Sequence, residues 1–228
     1  MHLRSSAWIL FAACSAFATP TLAAEGPAFS CEHPRSKAER TICDFGNFAE
    51  LDRSIALQYQ RARGELDGAT SRALTQDQER FVKVRDETHE DPGIKNTGHE
   101  ELLWRLTERN RFMTSIDGGK RAGVVGKWQN LNGTLTVTQK PDGTLHVEGT
   151  AMQPNDGRWV CEIKADAPAQ GEGAVFSDAK AEGWTLALAR KGSGLAVTQA
   201  PGQGAKDTGH PPYCGAGGSF AGTYFPVR

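Results

Sequence analysis

The stretch Cys31–Arg85, CEHPRSKAERTICDFGNFAELDRSIALQYQRARGELDGATSRALTQDQERFVKVR, decides the fold. Ser36 followed by Glu39 is a capping box: the hydroxyl takes the backbone N–H three residues on, and a helix starts there. That helix carries Ile42 and Cys43 inward. Asn47 followed by Glu50 repeats the pattern. Phe48, Leu51, Ile55, Tyr59, Ala62 and Leu66 then step by three or four, which makes one apolar face of a second helix. Leu74, Gln78, Phe81 and Arg85 give a third face at the same spacing. Two cysteines bracketing a short first helix, ahead of a long helical hairpin, imply a stapled α-helical module.

Beyond Arg85 the chain turns acidic, with Asp86, Glu87, Glu90 and Asp91 leading into Pro92 and Gly93, which end the third helix. Thr97 with Glu100 makes another capping box, and a last helix runs through Leu102, Leu103, Leu106, Asn110, Met113 and Ile116. Trp104 lies off that stripe, either at an edge packed on the hairpin or on an exposed patch. Composition changes at Asp117-Gly118-Gly119. Helix formers precede it; Gly, Thr, Val and turn pairs at short intervals follow. Pro141-Asp142-Gly143 marks a hairpin turn, and Leu135 and Val137, then Leu145 and Val147, alternate with polar neighbours. The expected strands are 126–131, 134–139, 144–150, 158–165, 173–176, 185–190, 194–198 and 219–226. The fold class is therefore α+β: a stapled bundle of about four helices, then a small antiparallel β-barrel or sandwich. The boundaries are 1–24 for a signal peptide, 25–118 for the helical domain, 119–125 for a linker and 126–228 for the β-rich domain. Trp128, in Gly126-Lys127-Trp128, reads either as a plug under one end of the barrel or as the lining of a ligand cavity. The Pro211-Pro212 segment carrying Tyr213 reads either as an exposed binding loop at the mouth or as a stapled cover for an open edge.

Residues 1–24 have a short basic start at Arg4, an apolar run and small residues before a cleavage site after Ala23 or Ala24, the pattern of an export signal. Ala12-Ala13-Cys14 permits a second reading, a lipid anchor on Cys14. The run is too short for a membrane span. Four further cysteines in an exported chain read as two disulfides. Nearest-neighbour pairing joins Cys31 to Cys43 and Cys161 to Cys214, each closure contributing about 3–4 kcal/mol. Zinc, with His33 or His210 as third ligand, is the competing use, though Cys-x-x-Cys is absent. Residues 25–119 hold 14 Lys and Arg against 18 Asp and Glu, a net of −4, and residues 120–228 hold 11 against 9, a net of +2. Neither half has the basic patch of a nucleic-acid binder, while an acidic helical half suits a cationic partner.

The order Cys31, Ile42-Cys43, Leu51-Asp52, Tyr59, Gln78-x-x-Phe81-x-x-x-Arg85-Asp86 resembles the N-terminal domain of the LprI-like family of bacterial envelope proteins, over roughly Phe29–Ile116. Phe81 stands where the family has Trp, and the family's second cysteine pair is absent. The joint loss of that pair also favours Cys31 with Cys43. The resemblance implies a partner, a lysozyme-like glycosidase, that the domain blocks to protect peptidoglycan. No enzyme activity and no cofactor are expected, since the sequence lacks Gly-x-Ser-x-Gly, His-Glu-x-x-His and a phosphate-cradling loop, which leaves only catalysis built from residues distant in sequence. Candidate contact residues are Asp86, Glu87, Glu90 and Asp91 between two helices, with Tyr213 as a second place. A barrel carrying a small apolar ligand and a purely structural envelope protein are the alternatives.

Overall fold

A computed structural model describes residues 28–90, 98–119, 121–177, 182–202, 205 and 210–228. The signal segment with Cys14, the Asp91–Thr97 stretch and residues 206–209 lie outside the described residues. Four helices come first: α1 Lys37–Asp44, α2 Gly46–Glu65, α3 Gly68–Glu90 and α4 Gly98–Ser115. Ser36 caps α1, its Oγ accepting from Glu39 N at 3.1 Å, while Glu39 Oε2 accepts from Arg35 N at 2.5 Å. The Asn47 box is not used. Only Phe45 separates α1 from α2, so the chain turns there, and its carbonyl accepts from Phe48 N and Ala49 N at 3.0 and 3.1 Å. Asn47 is already inside the helix.

The helical faces close on one another. Ile42, Leu74, Leu102, Leu106, Met113 and Ile116 are fully buried. Each such side chain contributes about 1.5–3 kcal/mol relative to exposure. Cys31–Cys43 pins the segment before α1 to that helix.

Nine antiparallel strands follow: β1 Gly126–Gln129, β2 Gly133–Gln139, β3 Leu145–Met152, β4 Val160–Ala167, β5 Ala169–Gln170, β6 Gly173–Phe176, β7 Trp184–Lys191, β8 Gly194–Pro201 and β9 Gly222–Val227. Their order, β4-β3-β2-β1-β9-β8-β7-β6-β5, curls until β4 packs near β6, a nearly closed barrel. The β2–β3 turn is Pro141-Asp142-Gly143, with Thr144 N donating to Asp142 Oδ1 at 2.9 Å and Gly143 at φ 85°. That φ favours glycine. The interior is packed. Leu135, Val147, Phe176, Leu186, Phe220 and Tyr224 fill it, and Trp128, fully buried, donates from Nε1 to Val124 O at 2.8 Å, with the Arg121 and Arg190 guanidinium carbons 6.0 and 4.9 Å from its ring centre. Trp128 is a plug.

The open edge of β4 is covered. Glu162 N donates to Tyr213 O and Gly215 N to Val160 O, both at 2.9 Å, and Cys161–Cys214 closes the seam. An uncovered edge would offer unpaired backbone groups to another chain.

The two halves meet along a continuous seam. Strand β9 buries Tyr224 in the barrel core and Phe225 and Val227 in the helical core. The α2–α3 turn docks on the β7–β8 hairpin through Ser193, whose Oγ accepts from Asp67 N at 2.8 Å and whose N–H donates to Asp67 Oδ2. That backbone N–H, helped by the Thr70 hydroxyl, holds the Asp67 carboxyl well below its usual range. Beside the glycines after α4, Asp117 N donates to Pro226 O at 3.0 Å and Arg121 Nη2 to Val227 O at 3.1 Å.

Candidate binding groove

The residues of the helical pattern gather in two places. Asp52 and Asp86 flank the buried Arg85, with Glu39 opposite. Arg85 Nε meets Asp86 Oδ1 at 2.7 Å, Nη1 meets Asp52 Oδ1 at 3.4 Å and Nη2 meets Glu39 Oε1 at 3.8 Å. Burial raises the Asp52 pKa, against the Ala28 N–H and Arg85, which lower it. Gln78 and Phe81 instead serve Arg109 of α4. Arg109 Nε donates to Gln78 Oε1 at 2.8 Å, and its Cζ lies 4.9 Å from the Phe81 ring centre and 5.0 Å from that of Phe112. Nη1 donates to Asp77 Oδ2 at 2.7 Å, and Asp77 Oδ1 accepts from Leu131 N at 2.9 Å. One carboxylate thus ties α3, α4 and the β1–β2 turn together.

The sequence-derived contact residues fall as follows. Asp86 is held by Arg85 and does not project freely. Glu87 pairs with Lys83 at 3.6 Å and accepts from Asn155 Nδ2 of the β3–β4 connection at 2.9 Å. Glu90 ends α3, with its side chain outside the described residues, and Asp91 lies outside them too. Tyr213, expected as an exposed loop aromatic, is half-buried against the barrel core, its hydroxyl accepting from Gln199 Nε2 at 3.0 Å. Gln199 also holds Ser219 Oγ and Phe220 N at 2.6 and 2.7 Å, which fixes the segment that Tyr213 packs on. Cys31, Cys43, Cys161 and Cys214 form the two nearest-neighbour disulfides.

A groove runs where α4 crosses the barrel rim. One part of it is an open hollow of about 120 Å³ whose walls include Phe81, Trp104, Arg105, Phe112, Leu131 and Met152. A second hollow of about 270 Å³ shares Trp104, Leu131 and Met152 with it and extends to Val160. Trp104, Met152 and Val160 are 54%, 49% and 53% exposed, a strip of apolar surface along the rim. Arg105 fixes one wall: Nη1 donates to Pro154 O at 2.7 Å and Nη2 to Asn155 O at 3.1 Å, with Glu101 in ion-pair contact at 2.7 Å. Burial lowers the pKa of both Arg105 and Arg109, against Glu101 and Asp77 respectively, yet guanidinium keeps its proton at any ordinary pH. Arg109 is 3% exposed, and its Nη2 has no hydrogen-bond partner among the described residues.

Sequence reading missed this groove. Leu102, Leu106, Arg109, Met113 and Ile116 step by four and three, so Arg109, not Asn110, sits on the apolar stripe. A charge at a core position of a helix was the available signal. Trp104 belongs to the exposed patch, not to an edge packed on the hairpin. Among the described residues no three His, Cys, Asp or Glu side chains gather as a metal site, and no helix is long and apolar enough to cross a membrane. Compared with known proteins, the chain matches no family model, no curated protein and no solved structure.

Proposed function

We propose that the chain is an exported binding module, not an enzyme, that restrains a lysozyme-like glycosidase and so protects peptidoglycan. One observation supports it most. Residues of the LprI-like pattern spread over Asp52–Asp86, joined by Glu39, converge on one buried guanidinium, that of Arg85. Such a network gives these distant residues a common structural task, which supports reading them as one pattern. Two disulfides fit an oxidising compartment, periplasmic or secreted. The net charge of −4 over residues 25–119 suits a cationic enzyme, speeding encounter more than it tightens the complex. Glu87, Glu90 and Asp91, at and just beyond the end of α3, are the proposed contact carboxylates, while Asp86 serves the scaffold.

The test is turbidity loss of a bacterial cell-wall suspension with c-, g- or i-type lysozyme and stoichiometric full-length protein. Slower lysis is expected with the c-type enzyme, weakening as salt screens charges beyond roughly 10 Å at 0.1 M. Changing Glu87, Glu90 and Asp91 together to Lys weakens the effect with the fold intact. Unchanged lysis with all three classes overturns the proposal.

A further inference from the structure

We infer that the Cys31–Cys43 disulfide is a redox latch. A dithiol reductant opens it while Cys161–Cys214 stays closed, which frees residues 28–35 from the helical half and takes a hydrogen-bond donor away from Asp52. The latch operates whatever partner the chain has, so it does not rest on the glycosidase reading.

Access separates the two bridges. Cys31 is exposed, in a stretch without helix or strand, and Cys43 is half-buried near the end of α1. Cys161 and Cys214 are 0% and 6% exposed. Backbone bonds from Glu162 N to Tyr213 O and from Gly215 N to Val160 O flank that second bridge, and a methyl group at Gly218 would stand 3.0 Å from Cys161 Sγ. Thiol–disulfide exchange needs a thiolate to reach a sulfur, and exposed disulfides are the more readily reduced. At the exposed bridge the reductant's thiolate bonds to Cys31 Sγ. The S–S bond breaks, and its electron pair leaves on Cys43 Sγ, which takes up a proton. The reductant's second thiol then displaces the Cys31 thiolate, which is protonated in turn, and the reductant departs as a disulfide. Two electrons and two protons have passed to the cysteines.

The bridge holds a segment whose other ties are few. Ala28 N donates to Asp52 Oδ2 at 2.9 Å, and Phe29 packs, half-buried, on the helical core. Glu32 N donates to Ser30 Oγ at 3.3 Å, inside the segment itself. With the covalent tie cut, a stretch held this lightly opens locally. Helix α1 stays in place: Ala38 and Ile42 are fully buried, and Thr41 Oγ1 meets His89 Nε2 at 3.0 Å. Asp52 carries the change onward. Its Oδ2 holds the Ala28 N–H and its Oδ1 faces Arg85 Nη1 at 3.4 Å. Burial raises the Asp52 pKa, and the Ala28 N–H is the chief influence against it. Opening the segment therefore weakens one arm of the Arg85 clamp and leaves the barrel alone.

Stepwise dithiothreitol reduction of the full chain with both disulfides, followed by iodoacetamide capture and peptide mapping, tests the order of opening. Cys31 and Cys43 are captured at least about tenfold faster than Cys161 and Cys214. Once only the first bridge is open, amide nitrogen order parameters over residues 29–33 fall below about 0.6, while β2 and β3 keep rigid values of about 0.85. The Asp52 carboxyl, followed by its carbon chemical shift, titrates at higher pH than in the oxidised protein, because a carboxylate that loses an N–H donor takes its proton more readily. Cys31→Ser combined with Cys43→Ser reproduces both changes without reductant. Capture of Cys161 and Cys214 first, or together with the other pair, overturns the latch. So does an unchanged segment or an unchanged Asp52 titration after the first bridge opens. A double variant whose barrel unfolds overturns it too, by making the bridge a staple of the whole fold. No lysozyme is present, so failure here leaves the lysis assay untouched.

Discussion

Arg85 and Arg109 are equally buried, at 3% exposure each, and are met in opposite ways. Three carboxylates from α1, α2 and α3 surround Arg85, one at each nitrogen. Arg109 has one carboxylate, one amide and two aromatic faces, with one nitrogen unmet. The first arrangement stays within the helical half. The second reaches beyond it, because Asp77 also accepts from Leu131 N of the β1–β2 turn. Identical side chains at identical burial thus lock the helical bundle in one place and the seam with the barrel in the other, and their partners, not their burial, separate them.

The comparison breaks first at Arg85. Arg85→Met leaves Glu39, Asp52 and Asp86 facing one another without their cation, and removing one partner from a buried pair costs about 3–5 kcal/mol. Urea unfolding followed by circular dichroism reads the loss as a lower midpoint at unchanged slope.

A smaller loss is expected at Asp77, where both halves of the molecule hang on one carboxylate. Asp77→Asn removes the counter-charge of Arg109 and weakens the bond to Leu131 N, at about 1–3 kcal/mol. Amide exchange at Leu131 should quicken more than at Leu135, a buried strand residue further from the seam. Equal acceleration at both would mean that Asp77 supports the barrel globally and not the groove.

The surroundings of Arg85 also carry a pH dependence. His89, one turn on, is buried against Thr41 Oγ1 at 3.0 Å and Gly98 O at 2.9 Å. Burial lowers its pKa below 6.5, assisted by Lys37 and His99 and opposed by the Gly98 carbonyl and Asp86. The unfolded chain therefore takes the proton first. The contribution of His89 is full above pH 6.5 and is lost as pH falls from there through the lower folded value. His146 on β3 works in the opposite sense. Asp166 and Glu148 raise its pKa, so its contribution is full below 6.5 and lost as pH rises through the raised value. Thermal melts between pH 5 and pH 7.5, about the histidine range, should show acid loss that His89→Gln removes and His146→Gln does not.

The least effect on stability belongs to the groove's rim. Trp104→Ala should stay within about 0.5 kcal/mol of the parent, as surface changes usually do. A loss above about 2 kcal/mol would make Trp104 a packing residue and close the groove as a site.

Most of the scaffold was legible because local chemistry dictates it. Ser36 with Glu39 started a helix where expected, Pro141-Asp142-Gly143 made its turn, and alternation along β2, β3 and β4 set one face inward. The second box failed because Phe45 turns the chain two residues earlier, a consequence of how α1 ends and not of Asn47 itself. The seam was harder. Tyr224-Phe225-Pro226-Val227 does not alternate, which is the mark of a strand covered on both faces, yet it was read only as a barrel strand. The two-residue β5 is too short to carry a pattern. Arg109 was hidden because its partners come from α3 and the β1–β2 turn, so no local spacing announces them. Asp86 and Glu87 looked free for the same reason: Arg85 and Asn155 reach them through the fold.

Urea unfolding and amide exchange on Arg85→Lys and Arg109→Lys, side by side, test the division most directly. Both variants should unfold at lower urea than the parent, because a point charge replaces a planar fork at a buried site. Exchange at Leu131 should quicken in Arg109→Lys, whose partner Asp77 also holds the Leu131 N–H, and stay near the parent's rate in Arg85→Lys once the global loss is subtracted. Quickening at Leu131 in Arg85→Lys and none in Arg109→Lys would reverse the two roles.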